Sequence, residues 1–379
     1  MKGPGRSWNK SGADISRRGA LFGGAASLAV MGVGGCKSTI PDIPVSHAKG
    51  SATVSRFGIL DDSQDVMLVK LARPGDISIE VSELGATVKA IRLGPTQPSM
   101  VLGYETFEEY ATDPRYMCCL IGRVANRIAN GSFRLDGKTY EVSRNRDGDC
   151  LHGGFSGFNK KLWTIEAVSE APYPSVTMGF TSPHLDEGFP GQLSCSVRFS
   201  LPEQNTVKIE ILAETDRPTP VNMTHHFYFN LGPELEEDIL RHQLMIAGSR
   251  YTPITPGAIP TGEIAPVEAT PLDLRSGRLI ADIIRTDHPQ IQAGHGINHN
   301  WEIDSDVPFA LLLKSEKAGR RLTVRTNQPG LQINSGHRLS GPFKKYSGLV
   351  VEPQNFPDSV NQPMFPNSVL RPGENYYST

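Results

Sequence analysis

From about residue 56 onward, apolar and polar positions alternate in short runs broken by turn residues. Val66 to Ala72 and Ile77 to Ser82 carry apolar residues in alternation or short runs on either side of the turn Arg73-Pro74-Gly75-Asp76. Phe133 to Leu135 and Lys138 to Val142 flank Asp136-Gly137, a pair suited to a two-residue hairpin turn. Val176 to Phe180, Leu193 to Leu201 and Val207 to Ala213 continue the pattern, and Leu322 to Thr326 and Leu331 to Ile333 repeat it late in the chain. Period-two alternation predicts strands, and many short strands at close spacing predict an all-β antiparallel sandwich or barrel. Only short segments such as Glu105 to Tyr110 read as helical turns. No change of composition divides Arg56 from Thr379, so one large domain is expected.

The run Val221 to Leu231 stands out within this pattern because it sets His225 beside His226 among β-branched and aromatic residues. In a strand, neighbouring side chains face opposite ways, so only one of the two can face a given pocket. Thr224, His226 and Tyr228 would then share a polar face, which lines either a cavity or the outside of a half-solvated sheet.

Composition narrows the partners. The formal net charge of −2 leaves no basic excess to follow a phosphate backbone, so nucleic acid is not expected. Glycine and proline, 38 and 29 residues, are scattered and fit turns between strands. The five cysteines form no C-x-x-C pair. After Cys36, the thiols of Cys118, Cys119, Cys150 and Cys195 could form up to two bridges or serve as buried small hydrophobes.

The amino-terminal 36 residues read as an export signal. Arg17-Arg18 precedes an apolar, small-residue run from Gly19 to Gly35, the length of a signal core and too short for a membrane span. The paired arginines suggest twin-arginine export. Val33-Gly34-Gly35-Cys36 resembles a bacterial lipobox, which implies lipid attachment at Cys36 and an exported protein, periplasmic or held in the cell envelope. Residues 37–55 read as a polar tether and 56–379 as the folded domain.

Four stretches carry the chemistry: Gly122 to Ile128; Leu151-His152-Gly153-Gly154, followed by Gly157 to Lys160 and Trp163; Thr224 to Leu231; and Val351 to Asp358, followed by Asn361 to Pro363. Their order and spacing resemble the aldose 1-epimerase, or galactose mutarotase, family from about Val66 to near the end of the chain. The resemblance implies a large single-domain β-sandwich that interconverts the α and β anomers of a free aldose without cofactor or metal. The free monosaccharide is then the expected partner, with membrane contact only through the lipid anchor. The chemistry needs a base for the anomeric hydroxyl proton and an acid for the ring oxygen, with the roles reversed on reclosure. A carboxylate and an imidazole suit it.

By resemblance, the base is Glu352 and the acid is His226. Asn126, Arg127, His152, Asn298 and Gln332 fall on sugar-binding positions, with Gly153 and Gly154 letting the backbone pass close to the sugar. Glu352 follows Leu349-Val350-Val351, an apolar setting that would raise its pKa. The chain departs from the family pattern in three places. Asn298 stands where an aspartate is usual, His225 where asparagine is usual, and Asn334-Ser335-Gly336-His337 replaces Tyr-Thr-Gly-Asn.

Other readings remain distinct. His295 and His299 have helical spacing, yet Gly294 and Gly296 oppose a helix, and no H-E-x-x-H occurs, so a metal is not expected. A phosphorylated hexose would need a cationic pocket and fits poorly with export. A glycosidase would need a second placed carboxylate. A non-catalytic, membrane-tethered sugar-binding protein on the same fold is the alternative function, and Asn298 is the residue that favours it.

Overall fold

The structure is a computed structural model that describes residues 50–379, apart from 61, 62 and 236. The expected export signal, Cys36 and most of the tether lie outside the described residues. The regular structure is nearly all β, and every pairing between its strands is antiparallel.

A four-stranded meander opens the domain, formed by Ser51–Ile59, Asp65–Ala72, Ile77–Ser82 and Thr87–Leu93. Its first strand begins at Ser51, inside the stretch read as tether, so the ordered domain starts five residues before the expected boundary at 56. That strand carries no fully buried residue and is held by its ladder to Asp65–Ala72, which is why side-chain patterning did not reveal it. A five-stranded sheet follows, ordered Thr164–Ser169, Ser175–Ser182, Leu193–Ser200, Lys208–Thr215 and Tyr376–Ser378. A six-stranded sheet runs in the order Phe227–Phe229, Leu349–Gln354, Gly330–Asn334, Asn298–Glu302, Arg250–Thr252 and Ala265–Pro266.

One apolar cluster joins these sheets, including Val69 and Ile79 from the meander, Val197 and Phe199 from the five-stranded sheet, and Trp301, Leu331 and Leu349 from the six-stranded sheet. Alternation supplies it: in Leu311–Ser315 buried and half-buried residues take turns. Burying each large apolar side chain contributes about 1.5–3 kcal/mol. Leu349–Gln354 departs from simple alternation and is buried at nearly every position. By alternation Leu349 and Val351 share one face, while Val350, Glu352 and Gln354 share the other.

Local signals act as expected at two points. Asp136 and Gly137 both take positive φ, 49° and 80°, and join Ser132–Leu135 to Lys138–Glu141 in a two-residue turn. Phe107–Ala111 forms one helical turn behind a capping box of Thr106 and Glu109. Two further five-residue helices, Ile280–Ile284 and Pro289–Ala293, carry no visible period because each is barely one turn long. Among the described residues no helix is long and apolar enough to cross a membrane.

Candidate active site

The stretch with the paired histidines is not one strand. Thr224–His225 pairs with Leu120–Ile121, and Phe227–Phe229 pairs with Leu349–Val351. His226 sits at the switch, and its N–H donates to the Cys119 carbonyl at 2.9 Å. Alternation still holds across the break. His225 turns into the core, its ring stacked 4.1 Å from Phe227 and its Nε2 3.1 Å from the Ala86 carbonyl oxygen. Thr224, His226 and Tyr228 are all buried, so their face is not a solvated sheet surface.

His226 faces Glu352. Its Nε2 lies 3.7 Å from Glu352 Oε1, beyond hydrogen-bond length and close enough for proton exchange once a ligand oxygen intervenes. Register places Glu352 directly across from Gln332, and Gln332 across from Asn300, so one polar row crosses three strands. Burial governs the titration of the pair. It raises the Glu352 carboxyl to about 8, with Arg127 opposing, and lowers the His226 imidazole to about 4, with backbone groups of His226 and Tyr116 opposing. Near neutrality the pair therefore holds one proton, on Glu352, and is uncharged. Glu352 Oε2 and His226 Nδ1 are buried without partners among the described residues, which leaves both able to bond an oxygen-rich ligand.

The opposing wall comes from two loops locked together. Asn126 and His152 both adopt left-handed backbone, φ 60° and 50°. The His152 N–H donates to the Asn126 carbonyl at 2.9 Å, and the Asn126 N–H donates to His152 Nδ1 at 3.2 Å. A ring nitrogen that accepts carries no proton, so Nε2 carries it and is a donor. The His152 ring meets that of His226 edge to face at 5.2 Å. Gly153 and Gly154 allow this geometry differently from the expectation. A Cβ on Gly153 would lie 1.9 Å from the Gly122 carbonyl oxygen, and one on Gly154 would lie 2.1 Å from the Glu187 carboxylate. Their close neighbours are protein atoms, and Glu187 in turn accepts from the Phe155 and Ser156 N–H groups.

The remaining expected residues are brought to the same face with altered duties. Asn126 Oδ1 turns back to accept from the Arg127 N–H at 3.0 Å, so it orients Arg127. Asn298 Oδ1 accepts from Gln332 Nε2 at 3.0 Å and from Asn334 Nδ2 at 3.2 Å. The acceptor that Asn298 retains is thus used within the protein, and its amide N–H group is what remains for a ligand. Tyr116 was not foreseen. Its ring lies 4.6 Å from His152 and 6.0 Å from His226, and as a lone tyrosine before Met117 it gave no pattern to read. Arg123, in the same motif as Arg127, points the other way and donates to Pro190, Gly191, Ser182, Pro183 and Thr219, which makes it a structural anchor.

His152, His226 and Glu352 place one ligand atom each within 4.8 Å of one another, a spacing that could hold a cation. The donors fit one poorly. His152 Nδ1 is engaged by a backbone N–H that cannot reverse, so its Nε2 presents a hydrogen in place of a lone pair. The arrangement suits proton transfer to and from a neutral, hydroxyl-rich ligand.

Comparison with known proteins agrees with this geometry. The family model described as aldose 1-epimerase matches residues 67–379. The chain is 37% identical over 342 residues to a galactose mutarotase of Rattus norvegicus, covering 87% of this chain and 97% of that protein. It is 33% identical over 332 residues to an aldose 1-epimerase of Escherichia coli (strain K12), covering 84% and 94%. Among solved structures, galactose 1-epimerase from Lactobacillus acidophilus NCFM superposes with a TM-score of 0.78 at 24% identity, over 86% of this chain and 96% of that one, a likeness of fold.

Proposed function

The chain belongs to the aldose 1-epimerase family and interconverts the α and β anomers of aldoses, and from that premise we propose that Glu352 and His226 are its acid–base pair. The observation that carries the assignment is the buried, facing pair, 3.7 Å apart, with an unpartnered atom on each. One group takes the proton from the anomeric hydroxyl while the other gives one to the ring oxygen, and the C1–O5 bond opens to the aldehyde. Rotation about C1–C2 presents the other carbonyl face. Reclosure returns each proton to its origin, so the pair ends with the single proton it began with. The family pattern makes Glu352 the base and His226 the acid, which requires the working proton to stand on His226 when the sugar is bound; with the proton on Glu352 the same pair works in the opposite sense, and because the reaction is reversible both directions use it. His152 Nε2–H, Arg127 and Gln332 supply donors that hold the sugar hydroxyls, and Tyr116 walls the site beside both histidines. Galactose, the sugar named for the rat relative, is the first substrate to try.

The pair is competent only while it holds one proton. Protonation of both groups at low pH removes the base, and loss of both protons at high pH removes the acid. The expected profile of enzyme-catalysed kcat/KM, with spontaneous exchange subtracted, is a plateau between about pH 4 and about pH 8 that falls on both sides. A rate that climbs steadily through pH 8 to 10 would contradict the assignment.

We also propose that the protein is exported and tethered to the cell envelope through a lipid on Cys36, on the strength of the Arg17-Arg18 signal and the lipobox-like run ending at Cys36. Labelled palmitate should enter the wild-type chain and be absent from Cys36→Ser, while equal labelling of both would remove the anchor.

A further inference from the structure

Asn298 and Asn334 stand directly opposite one another on paired strands, and Gln332, two residues before Asn334, stands opposite Glu352. Alternation therefore puts Asn298, Asn334, Gln332 and Glu352 on one face of the sheet. An amide side chain can be turned over, exchanging its donor and acceptor ends, and its partners decide which way it stands. Here the decision starts at the backbone. The Gly336 N–H donates to Asn334 Oδ1 at 2.8 Å. A peptide N–H cannot accept, so this bond fixes the Asn334 oxygen and leaves Nδ2 as the end turned to Asn298. Asn334 Nδ2 then donates to Asn298 Oδ1 at 3.2 Å, and Gln332 Nε2 donates to the same oxygen at 3.0 Å. Two donors occupy both lone pairs of that oxygen. The orientation of Asn298 is thus inherited from Gly336 through Asn334. Asn298 Nδ2 has no partner among the described residues, and Asn298 is only partly buried.

The consequence is the direction of a hydrogen bond. A carboxylate at this place could only accept, and would ask the sugar for an O–H. Asn298, with its oxygen engaged, can only donate, and asks the sugar for an acceptor. A free hydroxyl satisfies either demand, because it both donates and accepts. An ether oxygen or a fluorine accepts and cannot donate, so it suits Asn298 and would leave a carboxylate without a partner. A hydrogen in place of the oxygen suits neither.

We propose that Asn298 meets its sugar oxygen as a donor, that Asn334 is the positioning residue that makes it one, and that the enzyme therefore takes aldoses whose group at that carbon accepts without carrying a proton, such as an ether or a fluorine, alongside free sugars. This rests on the epimerase reading and narrows it.

The test compares D-galactose with its monodeoxy and monodeoxyfluoro analogues at C2, C3, C4 and C6 in one anomer-exchange assay. Each rate is taken relative to that sugar's spontaneous exchange, with wild type, Asn298→Asp and Asn334→Asp. The quantity read is the ratio of kcat/KM for the fluoro sugar to that for the deoxy sugar at each carbon. Within one preparation this ratio does not depend on how much of the protein is folded, so lost stability does not imitate the result. In Asn298→Asp the ratio should fall by about tenfold at one carbon and stay as in wild type at the others. Asn334→Asp keeps an acceptor for Gly336 and turns an oxygen to Asn298, which reverses the Asn298 amide. It should lower the ratio at the same carbon. Ratios that Asn298→Asp leaves unchanged at every carbon would overturn the inference and leave the epimerase intact. A fall in Asn298→Asp with none in Asn334→Asp would overturn the part given to Asn334. Galactose left unaccelerated by wild type would remove the epimerase reading, and this inference with it.

Discussion

At the scale of single residues, burial is the dominant cause of function and also a cost. Glu352 is 2% exposed and its carboxyl is raised to about 8. In the unfolded chain the same group titrates near the ordinary 4.5. A folded-state pKa above the unfolded value means that stability is greatest below the lower value and is lost as pH rises through the interval. Glu352→Gln has no proton to lose, so its melting temperature should exceed that of wild type at pH 8 and match it near pH 4. A variant less stable than wild type at pH 8 would show that burial does not hold the carboxyl protonated. His226 runs in the opposite sense: its neutral form is favoured in the fold, and stability falls as pH drops from 6.5 towards about 4. Glu352, His226 and His152 were readable because their motifs carry them. Tyr116 was not, since it belongs to none of those motifs and meets the histidines only through the fold.

At the scale of elements, the sequence showed many of the strands, though not Ser51–Ile59, and did not show how they meet. The alternation of His225 and His226 was legible in advance, and the change of partner strand between them was not, because a switch from Leu120–Ile121 to Leu349–Val351 leaves period two intact. The five-residue helices were invisible for want of length. The paired glycines were found correctly and explained incorrectly: they serve the packing of the Leu151–Gly154 loop on the Gly122 loop. Gly153 has φ 86° and a Cβ there would overlap the Gly122 carbonyl. Gly153→Ala should therefore cost at least about 2 kcal/mol and shift His152, read as a lower melting temperature together with reduced turnover. Wild-type values for both would show that the two loops yield more freely than their contacts indicate.

At the scale of the whole molecule, a main apolar cluster under the sheets and two smaller ones under the Gly122 and Leu151 loops let residues from 116 to 352 converge on one site. That is why no single stretch of the sequence looked like a complete site. The cysteines, whose pairing the sequence left open, are free among the described residues: Cys118, Cys119, Cys150 and Cys195 are all buried, with thiols raised by burial. They pack as small hydrophobes, and the core does not depend on oxidation to hold its shape. What the assembly achieves is a buried site in which a carboxyl and an imidazole face one another, with burial favouring the neutral form of each. The most direct measurement is polarimetry on freshly dissolved α-galactose with wild type, Glu352→Gln and His226→Asn. Wild type should speed the decay of optical rotation, and each variant should lose about 10²- to 10⁴-fold of that acceleration. Variants that keep the wild-type rate would show that the proton moves through other groups.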